Sequence, residues 1–348
     1  MPAVCFRRSS SSLAPLVAAL IAIILATLPA AAFGQNVYLL YDRSVPQAAY
    51  GADRLGRALT DLGYTIIDDR AGYDFLINIA TNAVTIDSEA FAIIPEGRFI
   101  TINGGDEAGM VYGSLALVEQ LRNGARLENV EAVTEQPHFP FRAIKHNLPW
   151  DTYRPSLALD QHYETARKIE YWEAFLDMMA ENRFNVLSLW NLHPFTYMIR
   201  PTNFPEASPW TEAEQEEWRE LYTSIFRMAR ERGIDTYIVP WSIFVSEEFA
   251  QAHGVGLENF YPHYYVPGDT SEIIKRYTRE SVTQVLKEYP DLTGFAISHG
   301  EGMAGMTPRQ RQSWMDETII EGMRLADRPV KFIHRVPFSA GLGSEGST

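Results

Sequence analysis

From Phe141 onward the chain repeats one pattern: a short apolar run, a polar loop, then an amphipathic helix. Phe141 to Ile144 precedes helical spacing over 167–182, with Ile169, Trp172, Leu176 and Met179 on one face. Val186 to Trp190 precedes a helix opened by Thr211 with Glu214 three residues on, a capping box, and closed by Gly233. Thr236 to Trp241 precedes a helix over 271–288, and Leu292 to Ile297 precedes one opened by Thr307, Pro308 and Gln310. Val330 to Ile333 is a fifth strand. Such alternation predicts a parallel sheet with right-handed crossovers.

Two architectures share that pattern, the doubly wound open sheet and the eight-fold barrel. The first predicts a glycine-rich phosphate turn after its first strand, and none is present. The strand ends carry Lys145, Asn147, Trp150, Asn191, His193, Trp241, His299, Glu301, His334 and Arg335 instead. Polar and aromatic side chains at many successive strand ends favour the barrel. The fold class expected is therefore α/β, a small leading α/β domain followed by an incomplete (β/α)8 barrel. About five strands are expected in 141–348, with no sixth helix begun after Gly341.

The leading domain is expected over 35–125. Val37 to Tyr41, Tyr73 to Ala80, Phe91 to Ile94 and Phe99 to Asn103 read as strands, with Pro95-Glu96-Gly97 turning the last two into a hairpin. Val45 to Leu62 and Met110 to Arg122 read as helices. Gly104-Gly105-Asp106-Glu107 shares letters with a cyclic-dinucleotide synthase signature, but Ala108 stands where a phenylalanine would be expected next. Two acids at a helix start would also repel a phosphate, so a glycine turn with an acidic N-cap is the reading. Residues 126–140, with Pro137 and Pro140, are read as a linker.

Residues 1–34 carry Arg7 and Arg8, an apolar run from Leu13 to Leu28, and Ala30-Ala31-Ala32, the pattern of a secretory signal peptide. The expected location is secreted or periplasmic, with no stable membrane anchor after cleavage. Cys5, the only cysteine, lies in that leader. Residues 35–348 therefore have no disulfide, thiolate nucleophile or zinc–thiolate site open to them. The leader holds two arginines and no acids, so its loss takes the net charge from −14 to −16. A chain this acidic does not attract nucleic acid phosphates.

The domain ending in G-G-D-E-A-G-M-V-Y-G-S-L-A-L-V-E-Q-L, the proline-containing link and F-R-A-I-K-H at the first barrel strand resemble the family-67 α-glucuronidases. More distantly they resemble the family-20 hexosaminidases. A-E-N-R-F-N-V-L-S-L-W-N (180–191) and F-A-I-S-H-G-E-G (295–302) extend the resemblance over most of 36–340. It implies a glycoside hydrolase acting on a poly- or oligosaccharide, without a cofactor. The general acid of the α-glucuronidases falls on Glu301, and an arginine that holds the uronate carboxylate falls on Arg335. A lysine sharing that task would fall on Ile297, a departure from the pattern. Gly300 precedes Glu301 where the hexosaminidases have an aspartate, which disfavours N-acetyl-assisted retention. The base carboxylates of an inverting pair would lie beyond Thr348.

An inverting glycosidase needs an acid and a base about 6.5–9.5 Å apart. Glu301 suits the acid, with Met303 and Met306 as apolar neighbours that favour its protonated form; an exposed loop glutamate is the plain alternative. Asp151, Glu247 and Glu248 are the other acids near the strand ends, with surface charge the alternative for each. Arg335 and Lys145 are candidates to clamp an acidic sugar, and Arg142 is either a third or half of a buried ion pair. Asn191, His193 and His299 are candidates for hydroxyl contacts, and Trp150, Trp190 and Trp241 for stacking, at least one of them being core. No grouping tight enough for a metal is evident. The competing function is a polypeptide that binds glycan without turnover.

Overall fold

Alternating burial along Phe75–Thr81, with Phe75, Ile77 and Ile79 buried, is the mark of a strand with one covered face. The computed structural model describes residues 34–152, 156–255, 259–260, 263–265, 269–298, 303 and 305–335. The leading part is a six-stranded sheet, β1 (Asn36–Leu40), β2 (Thr65–Ile67), β3 (Phe75–Thr81), β4 (Phe91–Glu96), β5 (Phe99–Gly104) and β6 (Val133–Glu135), in the order β2-β1-β3-β5-β4-β6. The β4–β5 hairpin turns at Gly97, whose φ of +64° suits glycine, as the sequence predicted. β6 comes from the stretch read as a linker, so that stretch completes the sheet. The short β2 went unread.

Helices Pro46–Asp61 and Glu107–Arg122 cover one face of this sheet. The second is buried almost all round from Gly109 to Val118, because the barrel part presses on its other side. The Gly-Gly-Asp-Glu stretch is structural. Asp106 Oδ1 accepts the Gly109 N–H at 2.9 Å and Oδ2 accepts that of Glu89 at 3.0 Å. A Cβ on Gly105 would fall 1.8 Å from the Asp87 carbonyl oxygen, so only glycine fits there.

The second part is a five-stranded all-parallel sheet of β7 (Ala143–Asn147), β8 (Val186–Trp190), β9 (Asp235–Val239), β13 (Gly294–Ser298) and β14 (Lys331–Arg335). Its order is β14-β13-β9-β8-β7, so neighbours in space follow chain order, as in a barrel, and among the described residues the barrel is not closed. Helices Ile169–Glu181, Glu212–Glu231 and Glu272–Glu288 join successive strands, and Pro308–Met315 continues through a π-helical turn into Glu321–Arg324. The predicted capping box forms at Thr211 with Glu214, and the helix start read at Thr307 is also boxed, by Gln310. Glu212–Glu231 buries Trp218, Leu221, Tyr222, Ile225, Phe226 and Met228. Each such side chain contributes about 1.5–3 kcal/mol.

Between β9 and Glu272–Glu288 lie elements that the sequence did not suggest. They are helix Glu247–His253 and an antiparallel sheet of β10 (Phe244–Val245), β11 (Asn259–Phe260) and β12 (His263–Tyr265).

The two parts meet at the N-terminal ends of the barrel strands. Asp177 accepts Tyr50 Oη at 2.9 Å, Arg54 Nη1 at 3.0 Å and Arg232 Nε at 2.7 Å. Glu89 bonds Arg142 Nη1 at 2.8 Å and Asn185 Nδ2 at 2.7 Å. This leaves the C-terminal strand ends clear of the leading domain.

Candidate active site

Strand alternation decides which side chains share a face. In the ladder Asn147 stands opposite Trp190, Trp190 opposite Val239, and Ala296 opposite Ile333. Trp190, Val239, Ala296 and Ile333 pack together, apart from the main core that Leu187, Leu189, Ile238, Phe295 and Ile297 form with the helices. The Trp190 row is thus the inner face of the partial barrel.

Two cations converge on that row. Lys145 Nζ lies over the Trp190 ring at 4.0 Å from its centroid, and Arg335 Cζ lies over it at 5.5 Å. Arg335 Nη1 also donates to Ser298 Oγ at 2.5 Å, and Trp190 Nε1 donates to Ser188 Oγ at 3.0 Å. Lys145 belongs to the first barrel strand and Arg335 to the fifth, so sheet curvature brings them to one indole. The sequence placed both among the acidic-sugar candidates. It did not single out Ser188 and Ser298, although their spacing of two residues from Trp190 and Ala296 sets them on the same face.

Two residues at the same end carry buried polar atoms without partners among the described residues. Asn191 is fully buried, and neither atom of its amide has a hydrogen-bond partner there; Asn147 Oδ1 is in the same condition. Trp241, half-buried, comes after β9 against His193, Phe244, Ile297 and Trp314. Glu301 and His299 lie outside the described residues, directly beyond β13.

A chain of bonds ties the loops at this end together. Asp151 Oδ2 accepts the His193 N–H at 2.7 Å and its carbonyl accepts that of Leu192 at 2.8 Å. The Leu192 carbonyl accepts the Trp241 N–H at 3.2 Å, and Ser242 Oγ donates to the Ser298 carbonyl at 3.4 Å. Asp151 has a φ of +57° and Ile243 one of +55°. For a β-branched residue such as Ile243 that conformation costs about 1–3 kcal/mol.

Four sequence candidates are engaged in other contacts. Arg142 precedes β7 at the opposite end of the barrel, where it pairs with Glu89, donates to the Arg183 carbonyl and meets Tyr112 Oη at 3.1 Å. It is the buried ion pair, not a substrate contact. Trp150 is 2% exposed, donates to Tyr222 Oη at 3.1 Å and packs on Trp218, which makes it core. His193 is also 2% exposed, its Nε2 lies 2.8 Å from Tyr277 Oη, and burial pushes its pKa down to about 3. A neutral imidazole held this way has no free edge for a sugar. Glu247 is exposed in a helix's first turn and accepts Gln251 Nε2 at 3.0 Å. Among the described residues no three His, Cys, Asp or Glu side chains are grouped to hold a metal, and no helix is long and apolar enough to cross a membrane.

This fold is shared with barrel glycoside hydrolases. One solved neighbour is a GH138 enzyme targeting pectin rhamnogalacturonan II, with TM-score 0.71 and 25% identity over 84% of this chain and 33% of that one. A mutant Streptomyces plicatus β-hexosaminidase in complex with its product GlcNAc matches with TM-score 0.59 and 13% identity, over 87% of this chain and 61% of that one. The GH20 β-N-acetylhexosaminidase of Streptomyces coelicolor matches with TM-score 0.59 and 12% identity, over 86% and 62%. The hexosaminidase likeness, at this identity, establishes the fold. The chain spans a third of the length of the GH138 enzyme and about three fifths of the other two. No protein-family model and no curated sequence matches the chain.

Proposed function

We propose that this protein is a glycoside hydrolase that cleaves O-glycosidic bonds of a uronate-bearing poly- or oligosaccharide, with Glu301 as general acid and inversion at the anomeric carbon. The observation that carries the reading is the convergence of Lys145 and Arg335 on Trp190. Trp190 is 7% exposed and holds both cations at the strand ends, and two cations held together there suit a sugar that bears a carboxylate. Lys145 supplies from the first strand the second cation that Ile297 does not provide. Solved glycoside hydrolases of the same fold support the reaction class, and a GH138 enzyme that targets a pectin supports an acidic substrate.

In the proposed reaction the Glu301 carboxylic acid gives its proton to the leaving oxygen as the C1–O bond breaks. Water attacks C1 from the opposite face and loses its proton to a base carboxylate, giving a product of inverted configuration. Lys145 and Arg335 orient the ring, and Trp241 meets its apolar face. His299, beside the acid, is proposed to contact the leaving group's hydroxyls. The leader read in residues 1–34 makes the protein secreted or periplasmic, where such polymers occur.

The test is incubation with pectin-derived and other uronate-bearing oligosaccharides, with the product anomer monitored by NMR. Release of the inverted sugar supports the proposal. Binding without release would support the non-catalytic glycan-binding reading, and release only from neutral substrates would remove the uronate.

A further inference from the structure

The loop after β8 carries Asn191 and is held from outside, by a residue that the proposed reaction does not use. Asp151, 5% exposed, bonds two successive backbone N–H groups there, Leu192 through its carbonyl and His193 through Oδ2. The Leu192 carbonyl in turn receives the Trp241 N–H. Asp151 does this from a left-handed conformation, φ +57°, which aspartate, asparagine and glycine tolerate and most residues do not.

We infer that Asp151 is a positioning residue of the site: it sets the backbone of Leu192 and His193, and through them the Asn191 amide and the Trp241 ring. The inference rests on the proposed function for its catalytic consequence, but not for its structural content. Its role needs a hydrogen-bond acceptor and a left-handed backbone, not a negative charge. A base carboxylate would need the charge and access to water, and Asp151 is buried with Oδ2 already committed to the His193 N–H.

Two variants separate these roles. Asp151→Asn keeps the acceptor and the backbone preference; Asp151→Gly keeps the backbone and loses the acceptor. On a uronate-bearing oligosaccharide Asp151→Gly is expected to lose about 10–100-fold in kcat/KM, the scale of a misplaced contact, and Asp151→Asn to recover most of it. Amide hydrogen exchange provides the readout that does not depend on turnover. Exchange at Leu192, His193 and Trp241 is expected to speed up in Asp151→Gly and to stay near the parent rate in Asp151→Asn. If the parent hydrolyses nothing, the functional proposal fails while the exchange result still decides this one. Unchanged exchange in Asp151→Gly would overturn the positioning role. So would an Asp151→Asn variant with parent-like exchange but no activity beside an active parent, since charge would then be what matters.

Discussion

The guanidinium carbon of Arg335 lies 5.5 Å from the centre of the Trp190 ring, although β13 and β9 separate their strands in the sheet. Lys145 approaches the same ring at 4.0 Å from the neighbouring strand β7. Arg335→Ala is therefore expected to lower kcat/KM on acidic oligosaccharides by about 10–100-fold, the scale of a lost charge-assisted contact of about 1.5–3 kcal/mol, with a smaller effect on neutral ones. Lys145→Ala should act in the same direction. Kinetics on matched acidic and neutral substrates check this; equal losses on both would argue against a carboxylate clamp.

Arg142 provides the contrast. It lies at the other end of β7 with Glu89, Tyr112 and the Arg183 carbonyl, so Arg142→Ala should destabilise the fold and leave the preference between acidic and neutral substrates unaltered. Removal of one partner of a largely buried pair costs about 3 kcal/mol. Urea unfolding alongside the substrate ratio tests it, and a changed ratio with unchanged stability would place Arg142 in the site after all.

Asp177 is the hub of the contact between the two parts, with Tyr50, Arg54 and Arg232 all on one carboxylate. Arg232 is only 4% exposed, so Asp177→Ala would strand a buried guanidinium. A loss of about 3 kcal/mol is expected, with Asp177→Asn milder because it retains an acceptor. Equal and small effects of the two on the urea midpoint would show that the contact is held by apolar burial instead.

His193 makes stability sensitive to acid. Its folded pKa is lowered to about 3 by burial, against an ordinary value of 6.5, so the unfolded chain takes up a proton that the folded one refuses. Stability is therefore full above about pH 6.5 and falls as pH drops toward 3, by about 2 kcal/mol between pH 7.5 and 5. His146, lowered to about 4 by burial, acts in the same sense. In His193→Asn the difference in unfolding free energy between those two pH values should shrink. A variant with the parent's full pH dependence would contradict the assignment.

The strand–helix repeat was legible because each barrel strand is a run of apolar residues and each long helix keeps one apolar face. The elements missed were short or weakly amphipathic. Two- and three-residue strands at Phe244–Val245 and Thr65–Ile67 carry too few positions for periodicity to show, and Leu157–Ala166 buries only Ala166. At the site, the sequence offered residue types without their orientation. Lys145 and Arg335, read as candidates to clamp an acidic sugar, meet at the Trp190 ring, whereas Trp150 and His193 are buried against Tyr222 and Tyr277. No count of strand ends reveals that burial, beside which Asp151 has a left-handed backbone and accepts the His193 N–H.

Turnover is proposed to depend on proton transfer from Glu301 to the leaving oxygen. The most direct measurement compares the parent and Glu301→Gln on a uronate-bearing oligosaccharide, with turnover monitored by product NMR and binding by calorimetry. Loss of about 10²–10⁴-fold in kcat with binding retained is the expected result, since glutamine keeps the shape but has no proton to give. Turnover of the natural glycoside at the parent rate in that variant would contradict the account.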